Sequence, residues 1–134
     1  MKLCMIGTGY VGLVSGVCFS DVGNTVYCVD KDQKKIDLLN KGILPIFEPG
    51  LEEILKKNFK QKRLIFTSDL KQAVINSDII FICVGTPTKK NTNSADLKHV
   101  FSVAKDLKKI IKKYKIIITK STVPVSTGDK IEKI

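Results

Sequence analysis

The hexapeptide Gly7-Thr8-Gly9-Tyr10-Val11-Gly12 constrains this chain more than any other stretch. It follows a short apolar run over residues 3–6 and opens a helix-like segment over residues 11–22, so strand, glycine turn and helix come in that order. In G-x-G-x-x-G the first glycine permits a tight turn, the second lets a pyrophosphate approach the backbone, and the third lets the helix pack closely. The free N–H groups at the helix start then face phosphate charge. A carboxylate completes the pattern. Asp30 ends the next strand-like run, residues 25–29, and lies 18 residues after Gly12. There it can accept both ribose hydroxyls of an adenosine, and its charge opposes the extra phosphate of NADP, so NAD is the expected cofactor. Lys31, Lys34 and Lys35 keep NADP open as the lesser alternative, and Lys35 is expected along the ribose. The plain structural alternative is a set of turn glycines followed by a helix-capping aspartate.

The rest of the chain alternates in the same way. Val14, Val17, Cys18 and Val22 recur at helical spacing before the Gly23-Asn24 stop. Helices are expected over 31–41 (Ile36, Leu38 and Leu39 inward), 51–59, 70–75, 96–114 and from 127 onward. Strands are expected over 64–67, 79–84 and 116–119. The run Ile79-Ile80-Phe81-Ile82-Cys83-Val84 is apolar on both faces, as an inner strand of a parallel sheet requires. Residues 89–94 are polar and read as a loop. In the helix over 96–114, Leu97, Val100, Phe101, Ala104, Leu107, Ile111 and Tyr114 form one stripe. Strands alternating with helices give an α/β, Rossmann-type doubly wound parallel sheet of five to six strands, with helices on both faces. The helix from residue 127 has an entry signal and no exit signal, so a longer protein is expected.

The 134 residues suit one domain. No apolar run approaches the ~20 residues of a membrane helix, and the glycine at residue 7 leaves no room for a signal peptide. Net charge is +10, yet of 23 basic residues only Arg63 is arginine, the side chain that base-reading proteins favour. A solvated lysine surface is expected, with no nucleic-acid and no membrane partner. Cys4, Cys18, Cys28 and Cys83 include no CxxC pair and His99 is alone, so no metal site is expected. Cys4, Cys28 and Cys83 sit in apolar runs and read as buried small hydrophobes of a reducing compartment.

Ligands of such sheets lie beyond the carboxyl ends of the strands. Val84-Gly85-Thr86-Pro87-Thr88 and Lys120-Ser121-Thr122-Val123-Pro124 both fall there, offering glycine for close approach and hydroxyls for ribose or phosphate. No general base stands out. His99, early in a helix between apolar neighbours, reads as structural or exposed, and burial makes Cys83 a poor nucleophile.

In these stretches the chain resembles the N-terminal domain of the UDP-glucose/GDP-mannose dehydrogenase family. The matching segments are MIGTGYVGLVSGVCFSDVGNTVYCVDKD, PIFEPGLEE, ICVGTPT and KSTVPVSTGDK, in the family's order and across nearly the whole chain. Pro45-Ile46-Phe47 is similar to the UDP-glucose branch. The resemblance implies a cytoplasmic enzyme that oxidises the C6 alcohol of UDP-glucose to a carboxylate with two NAD, giving UDP-glucuronate. It implies that Gly7, Gly9, Tyr10, Val11 and Gly12 hold the pyrophosphate, and that Asp30 and Lys35 bind the ribose. Gly85, Thr86 and Ser121 would contact the cofactor, and Thr122 would help order a water near the reacting centre. Many bacterial members carry glycine where this chain has Ser126.

By the same resemblance, residues 1–134 are the NAD-binding domain alone. The catalytic cysteine, which holds the aldehyde stage as a thiohemiacetal, would lie beyond them. So would the catalytic lysine, the UDP-sugar domain and the central helix that builds a homodimer, and UDP-glucose would bind only with that remainder. Two other readings stay open. One is a sister dehydrogenase of GDP-mannose or UDP-N-acetylmannosamine. The other is a standalone nucleotide-binding module, or a nucleic-acid binder whose affinity would fall steeply with salt.

Overall fold

The computed structural model describes residues 1–90, 92 and 94–134. Five parallel strands form one sheet in the order β3-β2-β1-β4-β5, namely β1 (Lys2–Ile6), β2 (Thr25–Val29), β3 (Leu64–Thr67), β4 (Ile79–Ile82) and β5 (Ile116–Thr119). The helices between and after them are α1 (Tyr10–Asp21), α2 (Gln33–Asn40), α3 (Leu51–Lys60), α4 (Leu70–Ile75), α5 (Lys98–Ile110) and α6 (Thr127–Glu132).

Period-two alternation along the strands divides the core in two. Leu3 and Met5 of β1, Val26 and Cys28 of β2, and Leu64 and Phe66 of β3 face α1, α2 and α3. Cys4 and Ile6, Val29, and Ile80 and Ile82 face α4 and α5. Helices therefore cover both faces, as a parallel sheet needs. β5 is the exception: Ile116, Ile117 and Ile118 belong to neither cluster and stay exposed on the outer edge.

The direction in which strands are added reverses between β1 and β4, because β2 and β3 extend to one side of β1 while β4 and β5 extend to the other. Two loops diverging at such a point open a crevice beyond the strand ends. Gly7 makes the turn there at φ +102, and a Cβ on it would come within 2.8 Å of the Cys83 carbonyl oxygen. A Cβ on Gly12 would lie 1.9 Å from the Gly7 carbonyl oxygen, so the third glycine of the motif packs against the turn itself. Close packing of α1 on the sheet falls to Gly16, where a Cβ would stand 2.6 Å from Cys28 Sγ.

Several expectations need correction. Cys18 and Val22 face solvent instead of the core, and Leu38 points outward while Ile36 and Leu39 are buried. α2 starts only at Gln33, because Asp32 caps it by accepting from the Lys35 amide. β4 ends at Ile82, before Cys83 and Val84. α5 runs from Lys98 to Ile110 instead of over 96–114, and Tyr114 is 91% exposed. The chain turns extended at Ile111 to bring Ile116 beside Asp78, where Lys115 Nζ donates to the Ser77 and Ile75 carbonyls. Of the polar loop expected over 89–94, Asn91 and Asn93 lie outside the described residues, while the Lys89 amide donates to the Ser94 carbonyl. Ser126, which precedes α6, adopts φ +68, a left-handed conformation that glycine takes with less strain.

Candidate functional site

A cavity of about 460 Å³ opens beyond the carboxyl ends of β1, β2 and β4. Gly7 and Gly9 form one wall, Asp30, Lys31 and Lys35 a second, and Val84, Gly85 and Pro87 a third. The flank of α5 closes it with His99, Ser102, Val103 and Asp106. A Cβ placed on Gly9 or Gly85 would meet nothing within 4 Å, so open space stands beside both backbones. No side chain caps the start of α1 at Gly9; the first helical bond there runs from the Leu13 amide to the Gly9 carbonyl. Tyr10 and Val11 are about half exposed on the same turn. The chain thus offers an anion what a helix start supplies, unpaired N–H groups and the positive end of the dipole. These features fit a dinucleotide: bare backbone beside the turn, donors for a pyrophosphate, and a carboxylate one strand away.

Asp30 sits where β2 ends and its side chain is only 12% exposed. Thr8 donates to Oδ2 from its amide at 3.0 Å and from its hydroxyl at 2.7 Å. Lys35 Nζ donates to the same oxygen at 3.0 Å, and the Asp32 amide donates to Oδ1 at 3.1 Å. Burial alone would raise the carboxyl, but the Thr8 hydroxyl and amide, the Asp32 amide and the Lys35 ammonium outweigh it and lower its pKa to about 2. Asp30 is therefore ionised throughout the physiological range. It does not cap α2; Asp32 does.

The two other strand-end loops meet each other. Thr86 Oγ1 donates to the Thr122 carbonyl at 3.0 Å and lies 3.2 Å from Thr122 Oγ1. Ser121 Oγ donates to the Val84 carbonyl at 2.7 Å and lies 3.2 Å from that of Ile82. Its proton is thereby committed to the fold, and toward a ligand the hydroxyl can only accept. Gly7, Gly9, Asp30, Lys35 and Gly85 line the cavity, whereas Tyr10, Val11, Gly12, Thr86, Ser121 and Thr122 do not.

Sequence reasoning missed Thr8. It is 1% exposed and fills a variable position of the glycine motif, so no spacing rule marks it. His99 is exposed, as anticipated, and it lines the cavity. Burial pushes the Cys4 thiol up to about 12 and Cys83 to about 11, and raises Cys28 as well. No group of acidic, histidine and cysteine side chains among the described residues could hold a metal ion. No helix among them is long and apolar enough to cross a membrane.

The chain is similar to known proteins. The sequence model described as "UDP-glucose/GDP-mannose dehydrogenase family, NAD binding domain" matches residues 1–134. A UDP-glucose 6-dehydrogenase of Rhizobium meliloti is 53% identical over 100% of this chain and 31% of its own length. The UDP-glucose 6-dehydrogenase TuaD of Bacillus subtilis is 50% identical over 99% of this chain and 29% of its own. Among solved structures, a GDP-mannose dehydrogenase of Pseudomonas aeruginosa in a ternary complex superposes with a TM-score of 0.93. It is 40% identical, with 98% of this chain and 30% of that one covered. The chain thus spans about a third of the length of the curated relatives it matches.

Proposed function

From the premise that the chain belongs to the UDP-glucose/GDP-mannose dehydrogenase family and is its NAD-binding domain, we propose that it serves a UDP-glucose 6-dehydrogenase. The complete protein would oxidise the C6 alcohol of UDP-glucose to the carboxylate of UDP-glucuronate, consuming two NAD. Identities of 53% and 50% to enzymes of that name support the choice of sugar nucleotide. The GDP-mannose dehydrogenase likeness keeps a sister substrate as the second reading. Residues 1–134 are one domain of that protein. The catalytic cysteine and lysine, the sugar pocket and the helix of a homodimer belong to the remainder, and the compartment is the cytoplasm.

Gly7 and Gly9, with the amides of Tyr10, Val11 and Gly12, hold the pyrophosphate against the start of α1. Asp30 accepts from the adenosine ribose, and Lys35 lies beside it. Gly85, Thr86, Ser121 and Thr122 flank the nicotinamide half, with Gly85 leaving room and Thr122 helping to order a water near the reacting carbon. NAD supplies the hydride acceptor when it is bound. Cys4, Cys28 and Cys83 are buried with their thiol pKa values pushed up, and the exposed Cys18 does not line the cavity, so no thiol of this segment is positioned for the covalent step.

One observation carries the reading: an ionised carboxylate is fixed at the end of β2, beside the bare Gly7–Gly9 turn. Calorimetric titration with NAD tests it. Binding is expected, with affinity falling about tenfold or more in Asp30→Ala, as loss of a charge-assisted hydrogen bond requires. A folded chain that takes up no NAD would overturn the reading. For the complete enzyme, Thr122→Ala with full turnover would overturn the role of Thr122.

A further inference from the structure

α1 carries one charged residue, Asp21, among its 12, although 27% of the whole chain is charged. Its side turned away from the sheet is no more polar than its buried side. Ser15, Cys18 and Val22 follow one another along it, with Cys18 exposed and Val22 76% exposed. A helix that is apolar on every side is ordinarily enclosed by other elements. α3 encloses α1 on one flank only, where Lys57 and Asn58 donate to the Asp21 carboxylate. On the other flank the ring of Phe19 lies 5.3 Å from that of Phe81 in β4.

Beyond Phe19 the same face of the sheet stays open. Ile79 and Phe81 of β4 point toward it, and their register partners on β5, Ile116 and Ile118, are 44% and 37% exposed. α4 and α5 lie against the opposite face, and α6 joins them there through Ile131. A parallel sheet needs cover on both faces. Two strands with the space beside them span about 10 Å, close to the diameter of one helix.

We propose, on the reading that residues 1–134 are one domain of a longer chain, that this slot docks an α-helix of the same polypeptide, supplied by the part beyond residue 134. The curated relatives have the length for it, since this chain spans only 31% and 29% of two of them. A helix suits the slot better than a strand, because side chains and not free backbone groups line its floor. Its docked side is apolar, to meet Phe19, Ile116 and Ile118, and the small Ser15 and Cys18 let it approach α1 closely. Its flank is acidic, because Lys112, Lys113 and Lys120 stand exposed on either side of β5. The same lysines, in a chain of net charge +10, repel a second copy. A tethered segment arrives at an effective concentration near millimolar and needs no such encounter.

Cys18, at the middle of the exposed stripe, reports whether the slot is covered. The test compares residues 1–134 with the complete protein, both native at neutral pH, by the rate at which a thiol reagent modifies Cys18, read by peptide mass spectrometry. Modification is expected to be about 100-fold slower in the complete protein, where the docked helix must open to admit the reagent. An equal rate in both overturns the docked helix. Protection that fades on dilution as a dimer dissociates overturns it too, by assigning the cover to a second copy. A natural protein whose intact mass corresponds to 134 residues would sink the longer-chain reading instead. That outcome is distinct from an accessible Cys18 in a longer protein.

Val22→Lys gives a second readout that involves no thiol. In residues 1–134 the new side chain stays in solvent, and the melting temperature should hold within about 2 °C. In the complete protein the ammonium is trapped beneath the docked helix. There the melting temperature should fall by about 5 °C or more, or the variant should fail to fold while the short one folds. Equal tolerance in the two proteins would count against the docked helix.

Discussion

The hydroxyl of Thr86 donates to the main-chain carbonyl of Thr122 at 3.0 Å, tying the loop that follows β4 to the loop that follows β5. Since 36 residues separate the two, the bond fixes the relative placement of both strand-end loops. Thr86→Val keeps the shape and removes the donor. It is expected to cost about 0.5–1.5 kcal/mol of stability and to weaken NAD binding severalfold, with Thr86→Ser restoring both. Denaturant titration and calorimetry on the three proteins would check this, and an unaltered affinity in Thr86→Val would mean that the tie serves folding alone.

Two glycines of one motif should fail in different ways. Gly12→Ala puts a methyl group 1.9 Å from the Gly7 carbonyl oxygen and is expected to destabilise the fold by about 3 kcal/mol or more. Gly9→Ala meets nothing within 4 Å, so the fold should survive within about 1 kcal/mol. On the proposed reading its methyl group enters the open space that the pyrophosphate takes, and NAD affinity should drop by more than about tenfold. Melting curves with and without NAD separate the two effects.

Asp30 gives the stability a defined acid dependence. Its carboxyl titrates near 2 in the folded chain, against an ordinary value of 3.8. A group depressed on folding contributes stability that is complete above the ordinary value and is lost as pH falls through the folded one. The difference in unfolding free energy between wild type and Asp30→Asn should hold steady above about pH 5, on the order of 1–2 kcal/mol after solvent screening, and close toward pH 2. A difference that persists at pH 2 would assign the effect to shape instead of charge.

Ser126→Gly should stabilise the chain. At φ +68 a serine is strained, and glycine relieves the strain at the cost of a more flexible unfolded state, for a net gain of about 0.5–1 kcal/mol. A lower melting temperature for the variant would refute this.

Thiol chemistry should distinguish one cysteine from three. Cys18 is exposed, while Cys4, Cys28 and Cys83 are buried and hard to ionise. A thiol reagent at neutral pH should label one cysteine per native chain and all four in denaturant.

Much of the fold is legible in the sequence because local pattern and final context agree. β3, α4 and β5 begin and end where alternation and turn residues place them, at Leu64–Thr67, Leu70–Ile75 and Ile116–Thr119. Tyr114 marks the limit. It continues the apolar stripe of α5, yet the chain has to leave the helix at Ile111 to reach the sheet edge, and tertiary connection overrides the period. Leu38 fails for a related reason: apolar residues adjacent in sequence cannot all face inward from one short helix. At the site, the glycines and Asp30 follow from spacing because the turn allows few residue types. Thr8 does not, since its role depends on a partner 22 residues away that only the parallel pairing of β1 and β2 brings alongside.

The outer flank of β5 bears on how concentrated solutions of the chain should behave. An unguarded edge strand is a template on which another copy can grow, and lysine is a common guard. Lys112, Lys113, Lys115 and Lys120 bracket Ile116, Ile117 and Ile118, within a chain of net charge +10. Two molecules meeting edge to edge feel like charge first, over about 10 Å in 0.1 M salt but only about 3 Å in 1 M. Colloidal behaviour then follows from the buffer: dispersed in dilute electrolyte, and clustering through those isoleucines once concentrated salt conceals the lysines.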